Sequence, residues 1–284
     1  MTLHALATLA GVGALTVVLA TPIAEAPQQL NYDVYAVRFA HVSYPVSSLV
    51  RGAERGRDID IAFTVWVMRA GNRVVLLDAG FYREKFITRW KPADFVTPAA
   101  ALQRGLGISP EQVTDIVISH SHWDHVDGAD LFPRATVWIQ KEEYDYYVGP
   151  QGEVLHTGGA DADDAKMLAE LNKSGRVRLV DGDAKEILPG ITVYTGGKHT
   201  FASQFAGVRT AAGTVVLASD NAYLYENLEK HLPIAQTLDA ESNLKAQERM
   251  LALAAAPSLV IPGHDPAVFE RFPAVAPGVV KISK

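Results

Sequence analysis

The chain has 284 residues, 48% of them hydrophobic, which is enough apolar material for a large buried core. Its net charge is -6 and its Lys and Arg are scattered, so the electrostatic footprint of a nucleic-acid binder is absent and a small-molecule ligand is favoured. With no cysteine, a disulfide framework and a thiolate metal site are both excluded, and any metal ligand must be nitrogen or oxygen.

In chain order, Leu3 to Ala20 is almost wholly apolar and is followed by Thr21-Pro22-Ile23-Ala24-Glu25-Ala26. This predicts a secretory leader over residues 1–26, cleaved after Ala20 or Ala26, and an exported protein, periplasmic or secreted. The start of the leader lacks Lys and Arg, which keeps an N-terminal membrane anchor open. No other stretch is long enough to span a bilayer. Residues 27–284 show no repeat, linker or composition break, which predicts one domain.

Short β-branched runs alternate with helical or loop segments, an α/β pattern. Strands are expected at Ile61 to Met68, Arg73 to Leu77, Asp115 to Ile118, Thr136 to Ile139, Ile191 to Thr195, Thr214 to Ala218 and Leu259 to Ile261. Ser109-Pro110-Glu111-Gln112 carries the signals of a helix start. Ser242 to Ala256 reads as a helix with Leu244, Met250, Leu251 and Ala255 on one face, stopped by Pro257. Several buried-looking strands run out into a His or Asp: Asp78, His120, Asp220 and His264. Polar residues converging from strand ends are how α/β scaffolds commonly build sites.

His120-Ser121-His122-Trp123-Asp124-His125 packs four possible ligands into six residues just beyond a strand. His120 and His122, two apart in an extended loop, can face one ion, while Asp124 and His125 at the turn can face another. A mixed nitrogen and oxygen set suits zinc, iron or manganese, and cobalt is admissible. His4, His41, His156 and His231 lack such context and read as structural or solvent-facing.

The pattern His120-x-His122-x-Asp124-His125 followed by His199, Asp220 and His264 resembles the metallo-β-lactamase superfamily, and Leu77-Asp78-Ala79-Gly80 resembles one of its flanking turns. The resemblance spans residues 60 to 265. It implies an αββα sandwich with the site along one edge and two divalent ions, zinc first. His120, His122 and His199 would hold one ion, Asp124, His125 and His264 the other, and Asp220 would bridge them. Asp78 is expected to be a turn residue or a partner of a ligand, not a ligand itself. The reaction implied is hydrolysis of an ester, amide or phosphoester by a hydroxide held between the ions.

Within that superfamily, Asp220-Asn221-Ala222-Tyr223 is similar to the N-acyl homoserine lactone lactonases, where a tyrosine at that offset helps orient or protonate the lactone. The catalytic set implied is Asp220, Tyr223 and Asp124, and the partner a small lactone. β-Lactamases of the superfamily usually carry Cys or Ser where Asp220 stands, yet a β-lactam hydrolase is a rival reading, as is a phosphodiesterase or sulfatase. His199-Thr200-Phe201 departs from the lactonase pattern, which has Pro-Gly after His-Thr. Trp123 and Phe201 are candidates for an apolar pocket wall or for packing. The interval from His125 to His199, with Lys141 to Tyr147 and Asp161 to Asp164, is expected to cover the site or to form a solvated face. The oligomeric state is open, a homodimer included.

Overall fold

Two β-sheets account for most of the strands in the computed structural model, which describes residues 1, 2 and 30–282. The leader expectation, and His4 with it, falls outside the described residues. Among those described, no helix is long and apolar enough to cross a membrane.

The larger sheet contains β1 (Asp33–Pro45), β2 (Asp58–Ala70), β3 (Arg73–Leu77), β4 (Asp115–Val117), β5 (Thr136–Gln140) and β6 (Val177–Val180). The smaller contains β7 (Lys185–Leu188), β8 (Ile191–Thr195), β9 (Gln204–Thr210), β10 (Gly213–Ser219) and β11 (Val260–Pro262). Finally β12 (Ala274–Ala276) and β13 (Val279–Lys281) return to the first sheet, whose order is β12-β13-β1-β2-β3-β4-β5-β6; the second runs β11-β10-β9-β8-β7. The seven expected strands are all present, with Arg73–Leu77 and Ile191–Thr195 at their expected limits and the others shifted by one to three residues.

Strand β2 explains the layering. It is buried continuously from Ile61 to Met68, which requires cover on both faces. Trp66 and Met68 face the second sheet and meet Val193, Phe205 and Val208 in one apolar cluster. Phe63, Val65 and Val67 face the other way into a second cluster. That cluster is covered by α1 (Glu84–Trp90), α2 (Pro98–Leu106), the single turn α3 (Trp123–Val126), α4 (Lys141–Tyr147) and α5 (Ala162–Lys173). Beyond the second sheet lie α6 (Tyr225–Glu229) and α7 (Ala240–Leu253), with α8 (Val268–Arg271) near the end of the chain. Helix, sheet, sheet, helix is the expected αββα sandwich.

Two expectations need correcting. Ser109 opens only a 3-10 turn over Pro110–Gln112, in which Gln112 Oε1 accepts from the Ser109 N–H at 2.8 Å. The start signals are genuine, but β4 pairs in parallel with β3 from Asp115 onward and leaves no room for a longer helix. The second helix begins at Ala240, with Asp239 as its cap, and ends at Leu253. Its buried residues are Asn243, Ala246, Gln247 and Met250, whereas Leu244 and Leu251 are half-buried and Ala255 is exposed. The reason is polar docking: Asn243 Nδ2 donates to the Asn221 carbonyl at 2.9 Å, its Oδ1 accepts from the Ile234 N–H at 3.0 Å, and Gln247 Nε2 donates to the Leu232 carbonyl at 3.0 Å.

Candidate metal centre

Strands β3 and β4 are parallel, and so are β10 and β11, so the ends of these strands meet along one edge of the sandwich. Asp78 follows β3, the His120 to His125 segment follows β4, His199 follows β8, Asp220 follows β10 and His264 follows β11. The two sheets are joined there directly: Ala62 N–H in β2 donates to the His264 carbonyl at 3.0 Å, and the Ala62 carbonyl accepts from His264 Nδ1 at 2.9 Å. Left-handed backbone marks the same edge at Asp78, Lys198 and Ser219 (φ 62°, 58° and 47°), strain of the kind tight sites store. Gly263 is required by close approach, since a Cβ there would lie 2.8 Å from the Ser219 backbone and 2.9 Å from Asp220 Oδ1.

All seven residues singled out as ligands come together. His120, His122, His199 and Asp220 form one group able to hold an ion, and Asp124, His125 and His264 form a second. Asp220 faces both. Its Oδ2 lies 3.3 Å from His199 Nε2 and 3.7 Å from His120 Nε2, while its Oδ1 lies 3.0 Å from His264 Nε2 and 3.4 Å from His125 Nε2.

Whether metal ions fit can be judged from where the imidazole protons go. His122 Nε2 donates to the Gly158 carbonyl at 3.0 Å, His125 Nδ1 to Asp78 Oδ2 at 2.8 Å, His199 Nδ1 to the Gln236 carbonyl at 2.7 Å, and His264 Nδ1 to the Ala62 carbonyl at 2.9 Å. His120 Nδ1 lies 2.8 Å from Ser119 Oγ. One nitrogen of each ring is thus engaged by the surrounding protein and the other is turned inward, the orientation that ligating histidines take. His199 Nε2 and His122 Nδ1 lie 3.0 Å apart and face the same space. His120 Nε2, His125 Nε2 and Asp220 Oδ1 are buried without a hydrogen-bond partner. Imidazole nitrogens and carboxylate oxygens converge here, several of them buried without the partner such atoms need. The residues present fit two divalent ions with nitrogen and oxygen ligands.

The electrostatics divide the rings. Burial, reinforced by the neighbouring His125, His122 and His199, drives the His120 pKa far down, and burial with His199 pushes that of His122 to about 3, so both rings are neutral acceptors. His125 and His264 go the other way: burial opposes their charge, but Asp220, with Asp124 behind it, raises both above the usual histidine value. Asp220 is buried too, yet His125 and His264 hold it far below the usual carboxylate range. The pocket draws positive charge toward its carboxylates.

The centre opens into a cavity of about 430 Å³ walled by Tyr44, Ile61, Phe63, Phe86, Trp90 and Trp123. Trp123 is part of this wall, stacked on Phe86 at 4.6 Å and on Trp90 at 5.3 Å. Phe201 is not among the lining residues; it stacks on Tyr146 at 4.1 Å, a packing role. Tyr223 lines the cavity, is 4% exposed, and holds its hydroxyl 3.4 Å from His199 Nδ1. Burial, with Asp220 and Asp124 nearby, raises its pKa well above the usual value, so the phenol keeps its proton.

The segment between His125 and His199 does both things expected of it. Gly158 to Asp161 wall the cavity, and a Cβ at Gly159 would overlap the His122 ring. The remaining histidines have local partners: His41 contacts Asp60 and Asp94, His156 stacks on Tyr146, and His231 pairs with Glu248. Sequence reasoning missed Glu143, Gly158 and Gln236, which contact the site from helix and loop segments without a ligand pattern of their own.

A family model described as the metallo-beta-lactamase superfamily matches residues 64–264, well over half of the chain. The chain belongs to the metallo-beta-lactamase superfamily. Among superfamily proteins it is 29% identical over 163 residues to an N-acyl homoserine lactonase of Bacillus cereus, a match covering 56% of this chain and 59% of that one. It is 28% identical over 166 residues to metallo-beta-lactamase domain-containing protein 1 of Homo sapiens, covering 57% and 51% of the two chains. The chain thus spans between half and three fifths of the length of these relatives. A crystal structure of a quorum-quenching N-acyl homoserine lactone lactonase superposes with a TM-score of 0.70 at 21% identity, over 87% of this chain and 97% of that one, which shows the shared superfamily fold.

Proposed function

We propose that this protein is a dinuclear metal-dependent hydrolase that opens lactones, N-acyl homoserine lactones first among them. The observation that carries the metal-dependent reading is the convergence of the inward nitrogens of five histidines around Asp220 at the floor of an aromatic-walled cavity. His120, His122 and His199 would hold one ion, Asp124, His125 and His264 the other, and Asp220 both. When bound, two such ions supply Lewis acidity toward the carbonyl and lower the pKa of a coordinated water to about 7.

The side chains of this protein do the rest. The Tyr223 hydroxyl, kept neutral by burial, can donate a hydrogen bond to the oxygen that gains negative charge as the ring opens. Asp220, between the two groups, would relay to the leaving alkoxide the proton given up by the water that adds to the carbonyl. The walls of Phe63, Phe86 and Trp123 would take the acyl arm and exclude water. The lactone preference is supported by the lactonase relatives and by Tyr223 at the cavity wall. We also propose that the enzyme is exported, on the strength of the apolar leader in residues 1–26.

The test is acid release by the zinc-loaded full chain from homoserine lactones with short and long acyl arms, beside a chromogenic cephalosporin and a phosphodiester. Lactone opening that disappears in Asp220→Ala supports the reading. A zinc-replete protein that leaves every lactone intact overturns it, and turnover of the cephalosporin would put the β-lactam rival in its place.

A further inference from the structure

We propose that Glu143 is a positioning residue that locks together the two loops carrying His120, His122 and His199, and so sets zinc affinity in that half of the centre. Glu143 lies in α4, whose neighbours Glu142 and Asp145 are exposed, yet Glu143 itself is 0% exposed. Its Oε1 accepts from the Ser121 N–H at 2.9 Å and from Thr200 Oγ1 at 2.8 Å, and its Oε2 accepts from the Ala202 N–H at 2.7 Å. Ser121 sits between His120 and His122, and Thr200 directly follows His199. One carboxylate thus ties the loop after β4 to the loop after β8, which are far apart in the chain.

A buried carboxylate costs free energy unless it is compensated, and among the described residues no Lys or Arg pairs with Glu143. Three neutral donors satisfy its oxygens. Its charge finds a second use if two dications sit in a site that holds only Asp124 and Asp220 as carboxylate ligands, because an excess of positive charge is left for nearby anions to offset. Asp78 is a second buried carboxylate at the centre, in direct contact with the His125 ring. Asp78 also reaches His120 through Ser119 Oγ, so Glu143 is the buried carboxylate that ties the His122 and His199 side of the first group. Glutamine cannot replace Glu143: its amide oxygen can satisfy two donors, but its NH2 must then face the third donor head-on.

This inference rests on the metal centre proposed above and not on the identity of the substrate. It is tested by titrating the metal-free full chain with zinc against a competing chelator of known affinity, for wild type, Glu143→Gln, Thr200→Val and the exposed control Glu142→Gln. Partners that orient ligands typically change metal affinity by about 10- to 100-fold, so Glu143→Gln should lose at least about ten-fold at one of two zinc ions and keep the other. Thr200→Val, which removes one of the three donors, should move the same affinity in the same direction by less. Glu142→Gln should match wild type. If Glu143→Gln lowers the melting temperature of the metal-free protein but binds both zinc ions like wild type, the residue is merely structural and the proposal falls. If Glu143→Gln does not fold, Thr200→Val decides, and wild-type zinc affinity in that variant overturns the proposal. A wild-type protein that takes up no zinc overturns the metal centre itself, while two zinc ions in wild type and unchanged affinity in both variants overturns only the role of Glu143.

Discussion

Asp78 Oδ2 lies 2.8 Å from Nδ1 of His125, and Asp78 reaches it from a left-handed backbone with φ of 62°. The same carboxylate accepts from the Ser119 N–H at 2.7 Å and from Ser119 Oγ and Ser219 Oγ, each at 2.9 Å. It therefore binds the ends of β4 and β10 to one ligand ring. Asparagine tolerates the left-handed region, so Asp78→Asn changes the charge without forcing the backbone to move. Zinc affinity at the Asp124, His125 and His264 group should fall by about 10- to 100-fold, measured by chelator competition. Wild-type affinity in this variant would show that Asp78 acts only on the fold.

Tyr223→Phe removes one hydroxyl from the cavity wall and no ligand. Loss of a donor aimed at developing negative charge typically costs on the order of 10²-fold in kcat. Lactone turnover should drop by that order with zinc content unchanged and KM little altered. A variant with wild-type kcat would return Tyr223 to a packing role.

Metal removal should destabilise the protein, because it leaves buried acceptors facing one another. A ligand present at 1,000 times its Kd stabilises the native state by about 4 kcal/mol. For a protein of this size that corresponds to a fall in Tm of roughly 10 °C on chelation. Calorimetry with and without a chelator reads this directly, and an unchanged Tm would count against a metal bound in the native state.

Asp164 gives a prediction far from the centre. It is 2% exposed, and burial, then the charge of Asp127 beside it, raises its pKa to about 9 despite Arg83 at 3.2 Å. A carboxyl whose folded pKa is raised contributes stability that is complete below its ordinary value and is lost as pH climbs through the folded value. Stability should therefore decline progressively between about pH 4 and pH 9. Asp164→Asn, which keeps an oxygen to accept from Arg83 and carries no titrating proton, should flatten that decline in denaturant titrations at several pH values. An unchanged slope would assign the pH dependence to other groups.

The His120 to His125 run was legible because its ligands are neighbours in the chain, and residue chemistry together with local spacing identifies them without any fold. His199, Asp220 and His264 were legible through their pattern across the chain, and the strands through their β-branched runs. The buried face of α7 was not, because its Asn243 and Gln247 are inside to satisfy backbone groups of distant loops, a demand that apolar periodicity does not register. Glu143 shows the limit most clearly. In Lys141-Glu142-Glu143-Tyr144 it has the composition of a solvated helix start, and only the packing of α4 against two loops distant in sequence turns it inward. Ligand identity depends on what each side chain can donate or accept, which is a local property. Which nitrogen faces inward, which carboxylate stands behind it and which aromatic walls the cavity depend on contacts between segments remote in the chain, and these exist only once the two sheets have packed.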